Sequence, residues 1–99
     1  MWDPDALAKK LSALGHPTRL KIVTELTNGE MYLSEIAKSV GISRALAKIH
    51  LIKLQKADLV DTKVVVMEEE ARALRFYKLK DFEIHISNEI LAKERKKVG

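Results

Sequence analysis

Ninety-nine residues, 46% hydrophobic and 32% charged, suffice for one folded domain with a modest core and are too apolar for a disordered chain. No apolar run approaches the roughly 20 residues that span a bilayer, and no signal peptide is visible. Cysteine is absent, which excludes disulfides and thiolate metal sites and, with the lack of a membrane segment, points to a cytoplasmic protein.

Asp3 followed by Pro4 is a cap and first-position signal for a helix running to Leu14. Leu7, Leu11 and Leu14 form its apolar stripe and Gly15 stops it. Pro17 opens a second helix with Leu20, Val23 and Leu26 facing inward, ending near Asn28-Gly29. Met31–Leu33 reads as a short extended link able to pair as a single strand.

Residues 34–60 then predict a short helix, a glycine turn and a longer basic helix. Ser34 is placed to cap the short helix, with Ile36, Ala37 and Val40 on its buried stripe. Gly41 supplies a left-handed stop, and Ser43 caps the next helix. There Ala47, His50, Leu51 and Leu54 fall at i, i+3, i+4 and i+7, a single inward face, while Arg44, Ala45, Lys48, Ile52 and Gln55 lie opposite. This is helix-turn-helix spacing, in which the second helix enters a DNA major groove. Charge agrees: residues 31–60 carry five cations against two carboxylates, and residues 1–30 and 81–99 are each balanced.

Leu59–Met67, rich in β-branched residues, and Arg72–Leu79 predict a two-stranded β-hairpin whose tip, Glu68-Glu69-Glu70-Ala71, is acidic and lacks an Asn-Gly turn signal. The tip is a plain solvated turn, a brake on nonspecific DNA binding or a handle for another protein, and Lys63, Arg72 and Arg75 on the strands are candidate backbone contacts. The final segment, Asp81–Val98, is read as a helix beginning at Asp81 or only at Ser87, since Phe82, Ile84 and Ile86 alternate while Phe82, Ile86 and Ile90 are spaced by four. Its cationic end suits the negative terminus of a helix. The expected fold is therefore α+β and mainly helical: one winged helix-turn-helix domain over residues 1–99, with a two-stranded wing and a C-terminal helix.

Single residues follow the same logic. His16 is expected to cap or pack locally, and His50 to sit in the core with one hydrogen bond. Arg19 is expected in an internal ion pair, and Trp2 against the last helix. Ser34 and Ser43 stand at helix starts, where free N–H groups also hold phosphate. No catalytic constellation is visible: no cysteine nucleophile, no glycine-rich phosphate loop and no Ser/His/Asp set. The chain is not expected to be an enzyme.

Three stretches resemble the ArsR-type winged-helix transcription regulators. They are Leu11-Ser-Ala-Leu-Gly-His-Pro-Thr-Arg-Leu-Lys-Ile-Val, Leu33-Ser-Glu-Ile-Ala-Lys-Ser-Val-Gly-Ile-Ser, and His50-Leu51, Leu54 and Ala57-Asp-Leu-Val60. The resemblance covers roughly residues 5–80. It implies a prokaryotic homodimer joined through its outer helices, repressing transcription until an inducer binds, with Trp2, Leu7, Leu11, Phe82, Ile86 and Ile90 as dimer-interface residues in segments 1–14 and 81–98. Metal-sensing members carry cysteines where this chain has Met31-Tyr32-Leu33-Ser34-Glu35; others use Asp and His pairs in the last helix, where Asp81, Glu83, His85 and Glu89 fall here. Two ligands, His85 and Glu89 at i, i+4, fall short of a closed site, so no metal or other cofactor is expected.

The basic helix departs from the family pattern in being apolar: Arg44, Ala45, Leu46, Lys48 and Ile49 stand where members commonly carry Ser, Gln, Thr and His. Arg44 suits bidentate readout of guanine, and Ala45 or Ile49 suits a thymine methyl. Lys48, Lys53 and Lys56 suit phosphates. Leu46 and Ile49 either reach bases or flank the core. Double-stranded DNA and a second copy of the chain are the expected partners, with no membrane. The alternative is a winged helix used for contact with an unknown protein partner, favoured if Leu46, Ile49 and Ile52 form one exposed patch.

Overall fold

The computed structural model describes residues 2–70 and 72–98. In chain order it holds α1 (Pro4–Leu14), α2 (Pro17–Leu26), β1 (Met31–Tyr32), α3 (Leu33–Val40), α4 (Arg44–Lys56), β2 (Val60–Met67), a single 3-10 turn over Glu68–Glu70, β3 (Arg72–Leu79) and α5 (Asn88–Val98). This is the winged helix-turn-helix expected. The link expected to be able to pair does so: Met31 and Tyr32 run antiparallel to Tyr77 and Phe76, which extends the two-stranded wing to a three-stranded sheet in the order β1-β3-β2. Tyr32 and Phe76 meet edge to face at 5.7 Å across that pairing.

Helix starts follow local chemistry. The Asp3 carboxylate accepts the Ala6 N–H at 3.1 Å, and the His16 ring Nδ1 accepts the Thr18 N–H at 3.1 Å, with prolines at the first positions of α1 and α2. Ser43 caps α4 by accepting the Leu46 N–H at 3.1 Å. Ser34 does not cap α3. Pairing with β3 holds Tyr32 extended, so the helix begins at Leu33, and Glu35 reaches back to accept the Tyr32 N–H at 3.1 Å. Gly41 closes α3 at φ 79°, a left-handed conformation that a side chain would strain. α4 ends in the same way without glycine: Asp58 sits at φ 62°, and the Leu59 N–H donates to the Leu54 carbonyl at 3.0 Å.

The core joins α2, α3, α4 and the base of the sheet, with Ile22, Ile36, Leu51, Leu54 and Leu59 fully buried and Tyr77 nearly so. Leu20 was expected inside α2 but is 49% exposed. Its place on the stripe Arg19, Ile22, Val23, Leu26 is taken by Arg19, which the fold buries with its donors satisfied. Its Nε donates to the Ala13 carbonyl, Nη2 to the Ser12 carbonyl at 3.5 Å, and Nη1 to His50 Nδ1 at 3.2 Å. Arg19 therefore satisfies carbonyls at the end of α1 rather than forming the expected ion pair. Because arginine only donates, His50 Nδ1 must be an acceptor, which puts the ring proton of the neutral form on Nε2. The His16 and His50 rings lie 4.7 Å apart.

At the C-terminal end, residues 81–87 are neither strand nor helix. α5 starts at Asn88, with Ser87 accepting the Ile90 N–H at 3.2 Å, which is the later of the two expected starts. No described residue of α5 is buried. The chain measures 61 × 24 × 21 Å with a radius of gyration of 16.6 Å, against about 13 Å for a compact domain of this length. The hairpin and α5 bury little against the rest.

Burial, together with the charges of His16, Arg19 and Lys53, holds the His50 imidazole below its ordinary value of 6.5. The folded state then binds fewer protons than the unfolded chain in slightly acidic solution. This contribution to stability is complete above about pH 6.5 and is lost as the pH falls below it. Asp58, held low by its hydrogen bond and ion pair with Lys80, loses its contribution only below the ordinary carboxylate value, outside that window. In His50→Gln the amide oxygen still accepts from Arg19 but does not titrate. Its denaturant midpoint is therefore expected to fall less between about pH 7 and pH 5.5 than that of the parent. Equal falls would show that the ring is not the source.

Candidate nucleic-acid interface

The buried stripe of α4, Ala47, His50, Leu51 and Leu54, turns the rest of the helix outward as the spacing predicted. Arg44, Lys48, Lys53 and Lys56 are all exposed, α4 carries no carboxylate, and none of the four forms an ion pair among the described residues. At about 100° per residue, Arg44, Lys48 and Gln55 make one shoulder of the helix, and Leu46 and Lys53 the other. Ala45, Ile49, Ile52 and Lys56 fall between them, farthest from the core. Leu46, Ile49 and Ile52 are 41%, 54% and 38% exposed, so Leu46 and Ile49 do not flank the core. Asp58, the acid just past α4, is bound by Lys80 and so offers little repulsion there.

The two serines differ. Ser43 stands exposed at the start of α4 with its oxygen engaged as a cap, leaving its hydroxyl proton free to donate. Ser34 is half-buried at the second position of α3.

The cations of the wing are not brought together. Register pairs Lys63 with Phe76 and Met67 with Arg72 on one face, and Val64 with Arg75 on the other. Lys63 is already bridged to Glu30 at 3.1 Å. Val64 and Val66 are 52% and 68% exposed on the Arg75 face, and Glu68 and Glu69 are exposed at the tip. The side chain of Glu70, and Ala71, lie outside the described residues.

The residues expected at a dimer interface divide similarly. Leu11 and Ile86 are 41% and 45% exposed. Trp2, Leu7 and Ile90 are half-buried along a cleft between α1 and the C-terminal segment, which Ile84 also lines. Phe82 instead packs partly against the domain's own core. Toward the domain's own core α1 presents Ala13, which is buried, and Leu14, which packs partly against it. His85 and Glu89 do not share a helix, because α5 begins after His85, whose Nε2 lies 3.3 Å from Glu83 in an exposed pair. Among the described residues no three His, Asp or Glu come together to hold a metal ion, and no helix is long and apolar enough to cross a membrane.

Two contacts were invisible in the sequence: the Arg19 bridge to His50, and Lys10 Nζ donating at 3.2 Å to the Ala57 carbonyl at the end of α4. Arg19 and His50 are 31 positions apart and Lys10 and Ala57 are 47 apart, and no local pattern reports such pairs.

The sequence matches the family described as bacterial regulatory protein, arsR family, over residues 16–62. It is 40% identical over 87 residues to an uncharacterised helix-turn-helix-type transcriptional regulator of Methanocaldococcus jannaschii, covering 88% of this chain and 90% of that protein. The fold is similar to the crystal structure of the transcriptional repressor BigR from Xylella fastidiosa, at 27% identity and a TM-score of 0.66, covering 79% and 74% of the two chains. It is also similar to a homodimeric winged helix-turn-helix DNA-binding domain from Mycobacterium bovis solved by NMR, at 23% identity and a TM-score of 0.68, covering 96% and 76%.

If the wing tip approaches a duplex, its carboxylates repel phosphate. A Glu68→Gln/Glu69→Gln variant is then expected to bind duplex DNA more tightly than the parent at low salt, with the gain vanishing as salt is raised. Unchanged affinity at low salt would mean that the tip stands clear.

Proposed function

Because the chain belongs to the ArsR family of bacterial regulatory proteins, which are transcription regulators rather than enzymes, we propose that it is a homodimeric, sequence-specific DNA-binding repressor that inserts α4 into the major groove. The observation that carries this reading is the outward face of α4, with four cations that form no ion pair among the described residues and no carboxylate. Arg44 reads a guanine edge, Lys48, Lys53 and Lys56 meet phosphates, and Ser43 donates to a phosphate at the helix start. Arg72 and Arg75 contribute backbone contacts from the wing. Lys63 does so only by leaving Glu30, and half-buried Ser34 lies at the edge of the contact.

Dimerisation uses segments 1–14 and 81–98 of the single domain. Leu11, Ile86 and Leu91 are each more than 40% exposed there, beside the cleft lined by Trp2, Leu7 and Ile90. Apolar surface of this kind is normally covered by a partner. The Mycobacterium bovis domain is described as homodimeric and BigR as a repressor, which supports the same assembly and sense of regulation here. A two-fold would set the α4 helices about 34–36 Å apart, one turn of DNA. The site of action is the cytoplasm.

The exposed Leu46, Ile49 and Ile52 favour a second reading, in which α4 docks a protein. That reading expects no duplex binding above the generic attraction of a basic surface.

Two measurements separate these readings. Titrating duplex DNA at several salt concentrations should give log K falling against log salt by about 0.9 per phosphate neutralised. Arg44→Ala should relax base preference at one operator position by about 1–3 kcal/mol; uniform weakening across sequences would make Arg44 a phosphate contact. For the assembly, sedimentation should show a dimer that Leu11→Asp/Ile90→Asp converts to a folded monomer with much weaker operator binding. A variant that stays dimeric would move the interface elsewhere.

A further inference from the structure

The part of α4 that reaches farthest from the core is apolar, and base recognition by hydrogen bonds leaves it unused. Ala45, Ile49 and Ile52 form a line opposite the buried stripe, continued by Lys56. Ile49, at 54%, is the most exposed large hydrophobic residue of the helix. Cations stand on both sides of this line, Arg44 and Lys48 on one shoulder and Lys53 on the other. A protein partner complementary to such a surface would need an apolar strip between two acidic borders. The major groove supplies that arrangement directly: two phosphate backbones about 12 Å apart, with base edges recessed between them. A helix about 10–12 Å across fills it.

At the floor of that groove the apolar group is the C5 methyl of thymine. From Ala45 to Ile52 the helix rises about 10 Å, or roughly three base-pair steps. We propose that Ala45 and Ile49, with Ile52 at the margin, read thymine methyls, so that each half-site carries thymines where α4 crosses it. Arg44 then supplies the polar contact that sets register, and the methyls supply much of the discrimination. This rests on the DNA-binding reading above and adds what that reading leaves open, the base that the ridge selects. Each methyl brought against an aliphatic side chain is worth about fourfold in affinity.

The test uses the full chain and a pool of randomised duplexes. The tightest-binding duplex is selected and resynthesised with deoxyuridine for thymine within the half-sites, and separately outside them. Uracil keeps the O4 acceptor and the pairing with adenine and removes only the methyl. The expected result is an affinity at least about tenfold lower for uracil inside the half-sites, none lost outside, and an unchanged salt slope. Ile49→Ala, a change on an exposed position, should shrink the thymine-to-uracil ratio toward one while circular dichroism stays the same. Equal affinity for both duplexes, or selected half-sites without thymine, overturns the inference and leaves sequence-specific DNA binding intact. Selection of no duplex above the bulk removes the DNA reading itself, and this inference with it.

Discussion

Leu51 and Leu54 of α4 are fully buried in the cluster that includes Ile22, Ile36 and Tyr77, and their burial sets the roll of the helix about its own axis. Each such side chain contributes roughly 1.5–3 kcal/mol when taken out of water. A roll of one residue in the sense that lifts both from the core would press Lys53 toward it, where an unpaired cation costs several kcal/mol more. The alternatives are thus separated by an amount comparable to the usual net stability of a small domain. Everything on the outer side of α4, from the two cationic shoulders to the apolar ridge, inherits its direction from that one packing arrangement.

Polar contacts then tie this helix to α1, which meets the core through buried Ala13 and the partly buried Leu14. Arg19 binds the Ala13 and Ser12 carbonyls with one edge and His50 with another, and Lys10 binds the last carbonyl region of α4 at Ala57. Both are donor groups meeting the acceptor ends of helices, where partial negative charge collects. α1 is therefore held to α4 at two points along its length. In a dimer built on α1, the distance between the two α4 helices is set through these contacts, and distance is what a two-fold operator measures.

Most of the fold was legible because short-range chemistry dictates it. The caps at Asp3, His16 and Ser43, the glycine at position 41, the α4 stripe and the two long strands each announce themselves within about a turn or a strand. Errors arose where a distant partner decided. Ser34 looked like a cap until β1 paired with β3 and started α3 one residue earlier. Leu20 looked buried because a guanidinium is expensive to bury, yet Arg19 finds two carbonyls and an imidazole to receive its protons. The leucines of α1 read as one apolar stripe, and spacing does not divide it into the part that meets its own domain, as Leu14 does, and the part left exposed, at 41% for Leu11. Residues 81–87 carried both periodicities, and neither won: among the described residues no strand pairs with them, and the helix is capped only at their last member, Ser87. As for the interface, the basic face of α4 was readable from charge and spacing. The split of the wing cations between two faces needed the strand register, and the Lys63–Glu30 bridge needed the fold.

The balance of charge at the proposed DNA surface bears on how selectivity is divided. Nonspecific attraction grows with the number of phosphates neutralised and weakens steeply with salt. α4 offers four cations per subunit, Lys63 is compensated by Glu30, and the exposed Glu68 and Glu69 add negative charge at the wing tip. On the DNA-binding reading, those carboxylates offset part of the sequence-independent attraction that the cations of α4 supply. Contacts between aliphatic side chains and base methyls are indifferent to screening and are strengthened by salts that favour apolar burial. Raising the salt removes affinity for the bulk of the genome faster than it removes affinity for a site matched to the ridge. If α4 reads DNA through that ridge, its specificity ratio survives high ionic strength better than its overall affinity does, and that ratio, multiplied by site frequency, is what decides occupancy.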